Sequence, residues 1–128
     1  MKVIMPVMEN HGIESRVTGH PRMAPYFAVA KINGDDPGTV DIIENPYKEE
    51  NHHAFHHHEG NHEGANQFFK FLTDLEPDVL ISYNIGPGAF YRFREIGVKM
   101  YLPKGHTVKE NIDALKADTL TEISEPLD

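Results

Sequence analysis

Six histidines, His52, His53, His56, His57, His58 and His62, fall within eleven consecutive residues, with Glu49, Glu50, Glu59 and Glu63 set around them. Neutral imidazole suits zinc, nickel, cobalt, copper and iron(II), and carboxylate adds a harder oxygen ligand, so binding of a divalent ion is chemically easy for such a run. A helical stretch would align His52 with His56, His53 with His57 and His58 with His62, each pair four residues apart. The same composition also fits a solvated polar loop. A purification tag fits less well, because tags are terminal and unbroken whereas this run is internal and interrupted. Three more histidines stand elsewhere: His20, which as a loop residue either bonds to backbone or meets a ligand, and His11 and His106.

A second candidate is Gly86-Pro87-Gly88, which opens a predicted helix. Its leading N–H groups and the positive end of the helix dipole could receive an anion such as a carboxylate or phosphate, although a tight strand-to-helix turn explains the same residues. Arg16, Arg22 and Arg92 could supplement an anion site, and each also reads as a solvated surface charge. Catalytic patterns are poor: there is no Gly-x-Ser-x-Gly elbow, phosphate-binding loop or His-Glu-x-x-His motif. With zero cysteines, a thiolate nucleophile, a disulfide framework and any sulfur-held zinc or iron-sulfur site are excluded, so a bound metal must be held by nitrogen and oxygen. The expectation is a protein that is not an enzyme.

At 128 residues the chain is one ordinary domain, and 39% hydrophobic with 25% charged residues is globular composition. The formal charge of -8 disfavours a nucleic-acid partner, which usually requires a basic footprint. Protonating all nine histidines would carry that charge from -8 to +1, a titration centred near pH ~6.5. No run approaches the roughly 20 apolar residues that span a bilayer, so no membrane partner is expected, and the absence of a signal-peptide pattern makes a cytoplasmic setting the expectation.

The elements that must position these groups follow from periodicity. Lys2 to Met8 is a nearly continuous apolar run suited to a buried central strand, and the polar loop Glu9 to Pro25 follows it. Tyr26 to Ile32 and Thr39 to Glu44 read as strands joined by the turn chemistry of Asn33 to Gly38. After the aperiodic stretch Asn45 to Asn61, the stripe Ala65, Phe68, Phe69, Leu72 and Leu75 predicts a helix that Asn61 could cap and that ends before Pro77. Val79 to Ser82 is a short buried strand, and Pro87 suits the first turn of a helix with Ala89, Phe90, Phe93 and Ile96 on its apolar face and Gly97 at its end. Phe68, Phe69, Phe90 and Phe93 are read as core rather than as a cofactor box. Val98 to Leu102 is the fifth strand, and Thr107-Val108-Lys109-Glu110 is a capping box opening a last helix that carries Val108, Ile112 and Leu115. Residues 118–128 form an acidic tail expected to fray beyond a domain at 1–117.

A hairpin followed by alternating strands and helices predicts an α/β domain with a five-stranded mixed sheet, order 3-2-1-4-5, strand 2 antiparallel. The loops leaving strands 1, 3, 4 and 5 then emerge at one edge, where open α/β sheets bind ligands beside the switch in strand order, here between strands 1 and 4. All nine histidines are expected at that edge or just inside the helix that starts there.

Three stretches resemble the dinitrogenase iron-molybdenum cofactor-binding family, which includes NifX, NifY and the C-terminal domain of NifB. They are Ser15-Arg16-Val17 with His20 and Ala24-Pro25-Tyr26-Phe27; Asn61-His62-Glu63-Gly64-Ala65; and Ile85-Gly86-Pro87-Gly88-Ala89-Phe90 with Gly97-Val98-Lys99-Met100-Tyr101. The likeness covers about residues 1–117. It implies a three-layer α/β/α ribonuclease H-like fold and a nitrogenase accessory role: carriage of an iron-molybdenum cofactor-like cluster, with His20, Gly86, Pro87 and Gly88 as cofactor-binding residues, to which the anion-site reading adds Arg22. Pro21-Arg22 replaces the family's phenylalanine-glycine after the histidine, and the histidine-rich loop is a local departure suggesting specialisation for metal. Two alternatives stay open. One is a mononuclear Ni, Zn, Co or Fe buffer or sensor using the six clustered histidines; the other is an interaction module whose loop meets a protein partner such as an ATPase or a cluster-assembly protein.

Overall fold

The computed structural model describes residues 1–33, 38–47 and 62–127, with 62–66 described by backbone alone. The strands are β1 (Lys2–Val7), β2 (Tyr26–Lys31), β3 (Thr39–Glu44), β4 (Val79–Ile81) and β5 (Lys99–Tyr101), and the helices are α1 (His62–Asp74), α2 (Pro87–Glu95) and α3 (Val108–Lys116). They form one five-stranded sheet in the order β3-β2-β1-β4-β5. The β1–β2 and β2–β3 pairs are antiparallel, and the β1–β4 and β4–β5 pairs are parallel, so β2 alone is reversed. This is the architecture that the order of elements predicts.

From Val3 to Val7 β1 is apolar and buried because both its faces are covered. Ile4 packs with Phe27, Phe68, Leu72, Phe90 and Phe93 on the side of α1 and α2, while Val3, Met5 and Val7 pack with Val108 and Ile112 on the side of α3. The result is three layers. Pro6 is tolerated in a central strand because it stands past the two rungs, Val3–Val79 and Ile4–Leu80, that β1 shares with β4. There the loop takes over: Thr18 N–H donates to the Pro6 carbonyl at 2.9 Å, and Val7 pairs with Val17.

Turns fall where backbone chemistry demands them. Gly38, at φ +74, closes the β2–β3 hairpin so tightly that a Cβ there would stand 1.9 Å from the Lys31 carbonyl oxygen. Gly97, at φ +85, ends α2: its N–H bonds to the Arg94 carbonyl and the Val98 N–H to that of Phe93, the paired bonds of a Schellman cap. Because the chain leaves the helix here, Ile96, expected on the apolar face of α2, is 56% exposed, and Val98 takes the buried place. The capping box of α3 forms as expected, with Thr107 Oγ1 accepting from Glu110 N–H and Glu110 Oε1 accepting from Thr107 N–H.

The tail corrects an expectation. Residues 118–127 do not fray: Leu102 N–H donates to Thr121, Ile123 N–H to Met100, and Ile85 and Leu127 exchange both their backbone bonds at 2.7 and 2.8 Å. Ile123 is buried in the main core. An acidic composition conceals three apolar anchors, Leu120, Ile123 and Leu127, that lie along β5 and cross toward β4. Among the described residues no helix is long and apolar enough to cross a membrane.

Candidate functional site

Between α1 and α2, at the C-terminal edge of the sheet, lies a cavity of about 580 Å³. It occupies the switch point: β1 leaves β4 after Ile4, and the chain segments following β1 and β4 separate over the α1 and α2 face. Phe68, Phe69, Leu72, Leu80 and Phe93 supply apolar walls, and Leu127 from the tail adds another. His20, Arg22, Asn84 and Arg92 bring polar groups to it, together with the backbone of Gly86 and Gly88. Although the chain holds twenty acidic residues, no carboxylate lines this cavity among the described residues.

Of the residues read from sequence as cofactor-binding, His20, Arg22, Gly86 and Gly88 are thus brought together around one space, whereas Pro87 does not line it. Pro87 occupies the first turn of α2 behind Gly86, and no side chain caps that helix. Since proline has no N–H, the leading donors are those of Gly88 and Ala89, which have no preceding turn whose carbonyls could accept from them. Arg22 sits in the single 3-10 turn Pro21–Met23, where desolvation lowers its pKa without depriving it of charge. The Arg92 guanidinium lies 4.3 Å above the Phe69 ring, a cation–π contact that fixes it beside the aromatic wall. Phe69 itself packs against Phe93 at 4.8 Å. The phenylalanines read only as core therefore have two roles: Phe90 is buried core, while Phe68, Phe69 and Phe93 also wall the cavity.

Arg16, the third arginine considered for an anion site, is directed elsewhere. It pairs with Glu9 at 2.7 Å, and its backbone forms a bridge with Thr107. His11 and His106 lie at the same sheet edge but outside the cavity, each exposed and beside a carboxylate, Glu9 and Glu110 respectively. Ser15 is fully buried, with its hydroxyl oxygen accepting from His11 N–H at 2.8 Å and its carbonyl accepting from Val108 N–H, so the Ser15-Arg16-Val17 stretch ties the loop after β1 to the start of α3.

Of the six clustered histidines, His52, His53, His56, His57 and His58, with Asn61 as the expected helix cap, lie outside the described residues; His62 opens α1, its side chain not described. Among the described residues no group of three or more His, Asp or Glu side chains is placed to hold a metal ion.

Two asparagines that the sequence reading does not single out shape the rim. Asn45 is buried, and its Nδ2 donates to the carbonyls of Arg22 (3.2 Å) and Ala24 (3.0 Å) while its Oδ1 accepts from Tyr47 N–H. Asn84 Nδ2 donates to the Gly19 carbonyl at 2.7 Å, and the Asn84 carbonyl accepts from the hydroxyl of buried Ser82. A lone asparagine after a strand carries no pattern; the burial of Asn45 and the hydrogen bonds of both residues reveal these roles.

Residues 1–118 match the model of the family described as dinitrogenase iron-molybdenum cofactor. Among solved structures, a Thermotoga protein provisionally designated NifB, of the DUF35 family, is 26% identical with a TM-score of 0.71, covering 99% of this chain and 97% of that one. The apo orange protein of Desulfovibrio gigas superposes with a TM-score of 0.75 at 17% identity, over 99% and 96% of the two chains. A Methanocaldococcus jannaschii protein provisionally designated a dinitrogenase gives 0.70 at 18% identity, over 98% and 97%. No curated protein matches the chain.

Proposed function

The chain belongs to the dinitrogenase iron-molybdenum cofactor family, and from that premise we propose that it binds and carries an iron-molybdenum cofactor-like cluster without catalysing a reaction on it. One observation carries this reading: the cavity at the switch point is apolar in its walls, cationic at Arg22 and Arg92, and lined by no described carboxylate, within a chain of net charge -8. Positive charge concentrated against the sign of the whole molecule marks a place for an anion. A metal-sulfur cluster is a large, weakly hydrated anion, which suits aromatic walls and guanidinium better than lysine or open water.

In this reading Arg22 and Arg92 meet the anionic surface, His20 approaches a metal at the cluster's exposed end, and the N–H groups beginning α2 donate to a sulfide or carboxylate. No thiolate is available to ligate the cluster permanently, so it is held by imidazole, charge and N–H donors and can leave again. That is the requirement for delivery, and a cluster-assembly protein or an ATPase is the kind of partner delivery needs.

Anaerobic titration with isolated iron-molybdenum cofactor tests the reading. A stoichiometric complex weakened by His20→Ala is expected, and no binding at micromolar concentration would overturn it. Elemental analysis of untagged protein purified without oxygen separates this cargo from a single divalent ion, since the cluster brings molybdenum and iron together.

A further inference from the structure

The turn that carries His20 and Arg22 has little to hold it in place by itself. Its two internal bonds, Met23 N–H to His20 carbonyl at 3.1 Å and Ala24 N–H to Pro21 carbonyl at 3.4 Å, span a single 3-10 turn with no side-chain cap, and none of its residues is buried. Such a turn frays unless something outside it fixes the backbone. Two carboxamides do so from opposite sides. Asn84, in the segment after β4, grips the carbonyl of Gly19, immediately before His20. Asn45, in the segment after β3, grips the carbonyls of Arg22 and Ala24.

Both asparagines are themselves held. Asn45 is 6% exposed and its amide oxygen is occupied by Tyr47 N–H, which fixes the carboxamide so that its NH₂ faces the turn. Asn84 is anchored through its carbonyl to the buried hydroxyl of Ser82. We propose that Asn45 and Asn84 are positioning residues, a two-sided clamp that sets the His20–Arg22 turn against the cavity. The inference rests on the reading that His20 and Arg22 meet the cargo, and it adds what makes them available as a pair. Neither asparagine acts by touching the cargo: Asn45 does not line the cavity, and Asn84, which does, has its NH₂ committed to Gly19. Clamping lowers the cost of binding, since a loop already ordered loses less conformational freedom when the ligand arrives.

The test uses the full chain with Asn45→Ala and Asn84→Ala, alone and combined with Arg22→Ala and His20→Ala. Asn111→Ala serves as a control: Asn111 is fully buried and doubly bonded, to Lys104 N–H and the Thr107 carbonyl, but lies on the α3 side. Each rim asparagine variant is expected to weaken binding of isolated iron-molybdenum cofactor roughly tenfold, as loss of an outer partner of a binding residue commonly does. Asn45→Ala should cost little more once Arg22 is already alanine, and Asn84→Ala little more once His20 is, because each acts through that residue. Asn111→Ala should lower the unfolding midpoint without changing affinity.

A tenfold loss that persists undiminished in the Arg22→Ala and His20→Ala backgrounds, or unchanged affinity in both asparagine variants, overturns the proposal. Amide hydrogen exchange at Met23 and Ala24 gives a second arm that needs no cargo and works for any variant that folds. Faster exchange there than the global change in stability explains supports the clamp, and exchange that tracks global stability overturns it. Should wild-type protein bind no cofactor, the functional reading fails and the exchange arm still decides the clamp.

Discussion

At Arg22 a charge is kept on a half-buried side chain. Desolvation lowers the pKa of this guanidinium, yet arginine remains a cation at neutral pH, so it brings a fixed positive charge to the cavity wall. Arg22→Ala is accordingly expected to weaken cofactor binding by about 2 kcal/mol, and Arg22→Lys to recover only part of that, because ammonium is more strongly hydrated and cannot bond in a planar fork. Titrations of the three proteins side by side check this, and equal affinity for lysine and arginine would count against it. Glu110 presents the opposite case. Hydrogen bonds from the His106 backbone, the Thr107 side chain and the Thr107 backbone hold its pKa below the ordinary 4.5. The folded state thus prefers the carboxylate, and the stabilisation is present above about 4.5 and lost as pH falls through the depressed folded value. Glu9, lowered chiefly by its side-chain bond from Arg16, adds to the same acid limb. Urea midpoints measured from pH 7 to pH 3 should fall less steeply below pH ~4.5 for Glu110→Gln than for wild type. Superimposable acid limbs would show that the capping carboxylate contributes nothing.

Single elements show where pattern suffices and where it does not. The Schellman bonds at the end of α2 were foreseeable because only glycine sits readily at φ +85, and a Cβ at Gly97 would meet no atom within 4 Å, so substitution acts through backbone conformation alone. Gly97→Ala should therefore cost about 1 kcal/mol and Gly97→Asn less, read from thermal unfolding. Likewise the capping box, the β1 run and the helical stripes were legible because each is a local periodic rule. The tail was not. Leu120, Ile123 and Leu127 are spaced at three and four residues, a helical period that the extended tail does not adopt, and the acidic residues among them dominate its composition. What orders the tail is a long-range fact, the free edge of β5, which it covers by pairing Tyr101 with Glu122. Ile123→Ala should lower stability by roughly 2–4 kcal/mol, the cost of a cavity in a buried aliphatic site, whereas a frayed tail would give no change in the urea midpoint.

For the whole molecule, the site was legible as a place before it was legible as a shape. Strand order puts the loops after β1, β3, β4 and β5 at one edge, and within that edge the family likeness and the helix-start anion chemistry single out His20, Arg22, Gly86 and Gly88 without coordinates. That Arg16 turns to Glu9, that Phe69 leaves the core for the cavity wall, and that two asparagines hold the rim depend on side-chain packing between segments far apart in sequence, which no local pattern encodes. The same scale governs uptake. On the proposed reading, a chain of net charge -8 repels an anionic cargo at long range while Arg22 and Arg92 attract it at contact, so salt acts on the two stages in opposite senses. Screening acts first on the distant repulsion, because the Debye length falls from about 30 Å at 0.01 M to about 10 Å at 0.1 M. The association rate of isolated cofactor should consequently rise over that range while the dissociation rate also rises, the reverse of the usual steered encounter in which salt slows association. Stopped-flow mixing under nitrogen separates the two rates. An association rate that falls with salt at pH 8 would mean that the local cationic rim, and not the acidic whole, governs the approach.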